Sequence, residues 1–140
     1  METLSDLPNW VTATALIVTF LAGVYGYANW SLRRAQERVA RRRANPSRQA
    51  FLADMSSTCS KEVLEFLWER SLAYVEPRLT PHPDDDLILD LRIDDDDVTE
   101  DWPRDWARQR GFHESNLPGW PEAWPTTIRN FGRWLDLGPR

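Results

Sequence analysis

The sequence of 140 residues has few features of a metalloenzyme or of a disulfide-stabilised protein. Its only cysteine, Cys59, excludes a disulfide scaffold, and burial is a more ordinary role for such a thiol than nucleophilic work. Its two histidines, His82 and His113, lie far apart and outside any HExxH motif, so neither a zinc site nor a catalytic triad is indicated. The length excludes a large two-domain enzyme.

Charged side chains and histidine are absent from Leu7 to Leu32. A helix needs about 20 apolar residues to cross a hydrocarbon core of about 30 Å, so we expect a transmembrane helix over residues 10–32. Aromatic side chains lie near both ends of this stretch and predict contacts with the two membrane interfaces. These residues are Trp10, Tyr25, Tyr27 and Trp30.

Two other interpretations of the uncharged stretch fit less well. A helix buried on all sides in the core of a soluble protein needs more surrounding chain than this sequence supplies. A cleaved signal peptide begins with basic residues and has a shorter apolar core, whereas this N-terminus carries Glu2 and Asp6.

Arginines follow the apolar stretch at once, and residues 33–48 carry seven arginines and one glutamate. Those assigned to the membrane interface are Arg33, Arg34, Arg38, Arg41, Arg42 and Arg43. Because positive flanks stay in the cytoplasm, we expect the N-terminus outside and the C-terminal domain inside. Attraction to anionic lipid is a further expected role, and binding to nucleic acid is not expected because the topology signal already explains the cluster.

The remaining sequence predicts a small, mainly α-helical domain. The expected divisions are an extracytoplasmic N-terminus over residues 1–9, the membrane helix, a basic helix and linker over residues 33–55, and a cytoplasmic domain over residues 56–140. Helices are expected after Ser60, from the aspartate run at Asp94 to Gly111, and from Ile128. Pro103 should kink the second of these helices or split it at Trp102. A short strand over residues 87–93 is an alternative for the segment between the first two.

The segment Asp90-Leu-Arg-Ile-Asp-Asp-Asp-Asp resembles the start of the second helix of acyl carrier proteins. It is closer still to an uncharacterised bacterial acyl-carrier-like family, over roughly residues 58–136. The resemblance implies a small helical bundle that docks onto proteins. Asp95 stands where a carrier has its phosphopantetheine serine, and Arg92 replaces a family glycine, so the resemblance implies no bound cofactor and no acyl carriage.

Residues 84–105 hold eleven acidic side chains. Those of Asp94, Asp95, Asp96 and Asp97 have two interpretations: a docking surface for a basic partner, or favourable charges at a helix N-terminus. The spacing does not match a calcium-binding loop, and no metal is expected. Trp120 and Trp124, in a proline-rich segment, are either core residues or interface anchors.

We therefore expect a non-enzymatic, single-pass protein of the bacterial inner membrane without a cofactor. Its partners would be the lipid bilayer and a protein with a basic surface, docked through Asp94–Asp97 with a contribution from Trp120 and Trp124. The alternatives are a membrane-anchored immunity protein against a toxin, and a degenerate acyl-carrier subunit of a membrane-associated enzyme.

Overall fold

A computed structural model describes residues 8–75 and 79–139 of the chain. In this part of the chain there are five α-helices and no strand, which confirms the mainly helical fold class. The helices are α1 (Asn9–Arg42), α2 (Arg48–Met55), α3 (Lys61–Leu72), α4 (Trp102–Arg110) and α5 (Ile128–Leu135). A π-helical turn (Asp97–Asp101) runs directly into α4, and a 3-10 turn covers Glu114–Asn116.

Helix α1 has 34 residues, or about 50 Å at 1.5 Å per residue, and its N-terminal part is long and apolar enough to cross a membrane. Its large apolar side chains between Trp10 and Trp30 are exposed, including Tyr25 and Tyr27. Thr12 and Thr14 donate their hydroxyls to the carbonyls of Asn9 and Trp10, so these polar groups are satisfied within the helix. The expected N-terminus over residues 1–9 lies mostly outside the described residues.

Backbone contacts divide the chain into two units, with the division between Arg34 and Ala35. The second unit therefore begins earlier than the expected domain start at residue 56. Ala35, Gln36 and Val39 form a buried face of α1 within this unit, and Phe51 and Met55 of α2 are fully buried. Residues expected to form a linker thus contribute to the core, because apolar side chains recur at helical spacing among the arginines.

The first predicted helix of the domain is α3, which begins after Ser60 as expected. Leu64, Leu67 and Trp68 are buried along its apolar face, whereas Leu72 at its end is exposed. Gly132 of α5 lies where α3 passes close by, since a Cβ atom there would come within 2.9 Å of Leu67 Cδ1. Because proline cannot continue a helix, Pro77 was expected to end it, and this residue lies outside the described residues.

A kink or a split was expected at Trp102, and there the structure changes helix type: the π-helical turn passes directly into α4, and Asp101 and Trp102 keep helical backbone angles. Pro103 occupies the first turn of α4, where its missing N–H is tolerated, and the backbone before it adopts the wider π-helical turn. Gly111 has a left-handed φ of 78° and ends α4. The Phe112 N–H then donates to the Ala107 carbonyl over 3.0 Å, which is the reversal expected at this glycine.

The segment from Leu79 to Ile93 is a series of turns rather than a strand in the described structure. An isolated antiparallel bridge joins Asp86 to Thr127. Leu87, Leu91 and Ile93 are buried while Leu89 is exposed. Arg92 holds a φ of 58°, a conformation that glycine adopts more readily.

Candidate interaction surface

The aspartate run lies at the N-terminal end of the π-helical turn and α4. Asp94, Asp95 and Asp96 are exposed, and Asp97 is half-buried. The Asp94 carboxylate accepts the Asp96 N–H over 3.1 Å, so this residue stabilises the start of the helix. Within the described residues none of the four carboxylates forms an ion pair, which leaves Asp95 and Asp96 directed at solvent.

Tyr74 lies near the inner end of this run and packs on the buried ring of Trp102, with the ring centroids 5.7 Å apart. Burial raises the pKa of Tyr74 above 10.0, and the negative charge of Asp97 raises it further. The phenol is therefore neutral at physiological pH and contributes no charge to the surface.

A half-enclosed groove of about 650 Å³ lies beside the aspartate run. Its apolar lining includes Trp120, Phe131 and Trp134. The Trp120 ring lies 6.0 Å from the Phe131 centroid and 5.5 Å from that of Trp134. The groove thus has an aromatic lining held by contacts between α5 and the loop that precedes it.

Polar side chains lie along the same groove. They include Asp95, Glu100, Glu114 and Arg104. Arg104 Nε lies 3.2 Å from Glu114 Oε2, and its other nitrogens pair with Glu100 and with Asp101, which is not among the lining residues. Since this cation is shared among three carboxylates, the charged lining is negative overall.

Trp120 and Trp124 are both half-buried and pack against the core. The Trp120 indole N–H donates to the Trp124 carbonyl over 3.3 Å, and Arg133 lies 4.5 Å from the Trp124 ring centroid. Only Trp120 of the two lines the groove. Both side chains therefore pack partly into the core and are partly exposed, and their role as interface anchors stays a prediction.

The structure brings Asp95 and Trp120 to one groove, although 25 positions separate them in the sequence. The other members of the expected surface, Asp94, Asp96, Asp97 and Trp124, do not line it. Sequence reasoning missed the contributions of Ile88, Arg104, and the loop over residues 113–119. The sequence did indicate Trp134, because this residue lies on the apolar stripe of α5.

The expected membrane-interface arginines do not all have the same surroundings. Arg33, Arg34, Arg38, Arg41 and Arg42 are exposed, and Arg34 lies 4.3 Å from the Trp30 ring centroid. Arg43 instead binds Asp85 within the domain: its Nε lies 2.7 Å from Oδ1, and its Nη2 contacts Oδ2. Arg43 is therefore a structural residue of the domain in addition to its place in the basic stretch.

Cys59 is buried next to α5. Burial, followed by the nearby negative charge of Asp136, raises the pKa of the thiol from 9.0 to about 12. Almost no reactive thiolate is present at neutral pH. Among the described residues no group of three histidine, cysteine or acidic side chains is placed to hold a metal ion.

Thr99 carries a hydroxyl one turn after Asp95 and also lines the groove. It donates to the Asp95 carbonyl over 2.8 Å, a bond within the helix. Asp95 itself carries a carboxylate and cannot form the phosphodiester link of a carrier.

Comparison with known proteins gives no match: no family model, no curated protein and no solved structure is similar to this chain. The resemblance to acyl carrier proteins stays a prediction from the segment around Asp95.

Proposed function

We propose that this chain is a non-enzymatic, single-pass protein of the bacterial inner membrane whose cytoplasmic domain docks a protein with a basic surface. The observation that carries the proposal is the set of exposed carboxylates at Asp94, Asp95 and Asp96, which have no ion-pair partner among the described residues. They belong to a domain that follows an exposed apolar helix.

The exposed apolar residues and the arginines that follow them support the anchor and its orientation. Apolar side chains exposed between Trp10 and Trp30 favour hydrocarbon over water, because removing apolar surface from water gains about 25 cal/mol of free energy for each Å². The exposed arginines that follow favour the cytoplasmic side.

Charge supports the docking role. Residues 49–140, which form most of the second unit, carry ten basic and nineteen acidic side chains, so this part of the domain attracts basic proteins and repels polyanions. Complementary charge raises the rate of encounter and selects among partners. A role as nucleophile is not proposed for Cys59, because its pKa of about 12 leaves it protonated.

The test is cross-linking of the full chain in native membranes, followed by purification in mild detergent and mass spectrometry of the retained proteins and of the intact bait. One variant carries asparagine at all four positions from Asp94 to Asp97. The matched control carries glutamine in place of four exposed glutamates elsewhere, which gives it the same net charge as the asparagine variant. These are Glu37, Glu62, Glu69 and Glu122.

We expect one stoichiometric partner that the asparagine variant loses, by about tenfold or more at physiological salt, and that the control retains. A partner retained equally by both variants contradicts the docking role of this surface. A toxin as the partner favours the immunity alternative. A bait heavier by a prosthetic or acyl group favours the carrier alternative and refutes the proposal.

A further inference from the structure

The groove beside Asp95 is large enough to hold a bound side chain. Its volume of about 650 Å³ falls within the range of about 300–1,000 Å³ for ligand pockets. Trp120, Phe131 and Trp134 supply the aromatic surface that commonly surrounds an anchor residue at a protein interface. The groove is therefore suited to an apolar group that leaves water.

The charges along the groove restrict what that group can be attached to. Asp95 and Glu100 contribute negative charge, while Arg104 is shared among three carboxylates. An anionic amphiphile such as a fatty acid would meet repulsion there, whereas a cation next to the apolar group would be attracted.

We propose that the groove receives an apolar side chain, flanked by lysine or arginine, from the docked protein. This inference rests on the proposed function and specifies the segment that is recognised: a short peptide with a bulky apolar residue between basic residues. The apolar side chain packs on Trp120 and Trp134, and a flanking cation lies near Asp95.

A substitution at Gly119 can block the groove without disturbing the core. Gly119 lines it, and a Cβ atom at Gly119 would meet no heavy atom within 4 Å. Gly119→Leu therefore adds an apolar side chain to the lining of the groove without a clash at its Cβ atom. Ala123→Leu is the matched control, since Ala123 is exposed on the same segment and does not line the groove.

The experiment uses the full chain, labelled with fluorinated tryptophan, in nanodiscs of zwitterionic phosphatidylcholine that do not attract basic peptides. Fluorine NMR reports the eight tryptophans, and Trp120→Phe and Trp134→Phe assign the two signals of the groove. The main probe is the capped tripeptide Lys-Phe-Lys. The comparison probes are capped Glu-Phe-Glu, capped Lys-Ala-Lys and phenethylammonium.

We expect saturable shifts of the Trp120 and Trp134 signals, with Lys-Phe-Lys binding about tenfold or more tightly than either comparison tripeptide. Gly119→Leu should abolish the shifts, and Ala123→Leu should leave them unchanged. Asp95→Asn should weaken binding about threefold, while Glu122→Gln, at an exposed acid outside the groove, should not.

Three results would overturn the inference. Absence of shifts refutes a binding groove. Equal binding of Glu-Phe-Glu refutes the choice of a cationic occupant. Phenethylammonium binding at least as tightly as Lys-Phe-Lys indicates a small cationic ligand instead of a peptide.

The outcome is separable from that of the proposed function. Shifts with the expected selectivity, together with a partner that survives neutralisation of Asp94–Asp97, would retain the groove and refute docking through the acidic run. Loss of the partner on neutralisation of Asp94–Asp97, with no shift of the Trp120 and Trp134 signals, would retain docking through the acidic run and refute the groove.

Discussion

Asp85 is the residue whose removal we expect to damage the domain most through a single interaction. Its side chain is 5% exposed and that of Arg43 is 14% exposed. Besides the two contacts from Arg43, the carboxylate accepts the His82 N–H over 2.9 Å. After Asp85→Ala, the acceptors left to the nearly buried guanidinium among the described residues are the Ala44 and Thr80 carbonyls and the Asn45 amide oxygen. The His82 N–H also loses its acceptor.

Removal of one partner of a buried ion pair costs about 3–5 kcal/mol. A domain of this size has about 5–15 kcal/mol of stability, so Asp85→Ala should remove a large share of it. The assay is urea unfolding of the full chain in zwitterionic micelles, followed by tryptophan fluorescence. The double variant Arg43→Met/Asp85→Leu should recover part of the loss, because neither charge then remains buried alone.

Asp84→Asn is the matched control. This side chain is 64% exposed and pairs with Arg129 over 2.9 Å, which lowers the pKa of Asp84. Its removal should cost less than about 1 kcal/mol, as is usual for exposed pairs. Equal effects of Asp84→Asn and Asp85→Ala, or a cost of Asp85→Ala below about 1 kcal/mol, would refute the argument that Arg43 is bound into the core.

Three further changes test local features of the fold by the same unfolding assay. Arg92→Gly should stabilise the domain by about 0.5 kcal/mol, since an L-residue pays about 1 kcal/mol for a left-handed φ, and Arg92→Val should destabilise it. Gly132→Val should cost about 2 kcal/mol because its side chain would overlap Leu67; an unchanged midpoint would contradict the close approach of α3 and α5. The folded domain holds the Cys59 proton more tightly than the unfolded chain, so the thiol's contribution to the free energy of unfolding is complete below pH 9 and is lost as the pH rises towards about 12. Cys59→Ala should remove this loss of stability at alkaline pH; if the loss persists in the variant, another group causes it.

Local signals in the sequence predicted the helices of the domain well. Ser60 before an apolar stripe marks the start of α3, although its side chain forms no capping hydrogen bond there. Gly111 marks the end of α4, because this cap depends on residues that are neighbours in the chain. The sequence also indicated where the helix changes at Trp102, since the missing N–H of Pro103 is a local property, although the change is one of helix type.

Features that depend on distant residues were not predictable in the same way. Helix α2 has eight residues and only two fully packed side chains, so it shows too little periodicity to be separated from a linker. Arg43 pairs with a residue 42 positions away, and nothing in the arginine run distinguishes it from its neighbours.

The groove shows the same limit at the candidate site. Its lining comes from Ile88, the start of α4, the loop over residues 113–119, and α5. The sequence indicated Asp95 and Trp120 separately, by charge and by composition. Their placement in one groove follows only from the packing of these segments.

Membrane topology is the property on which the proposed function depends most directly. We would make two variants in a Cys59→Ala background, Thr3→Cys and Glu122→Cys, so that each has a single cysteine. Intact spheroplasts of each variant are then treated with a membrane-impermeant maleimide. The proposal predicts that the cysteine at Thr3 reacts in intact spheroplasts and that the cysteine at Glu122 reacts only after permeabilisation. Labelling of the cysteine at Glu122 in intact spheroplasts, or a mature chain that has lost its first helix, would contradict it.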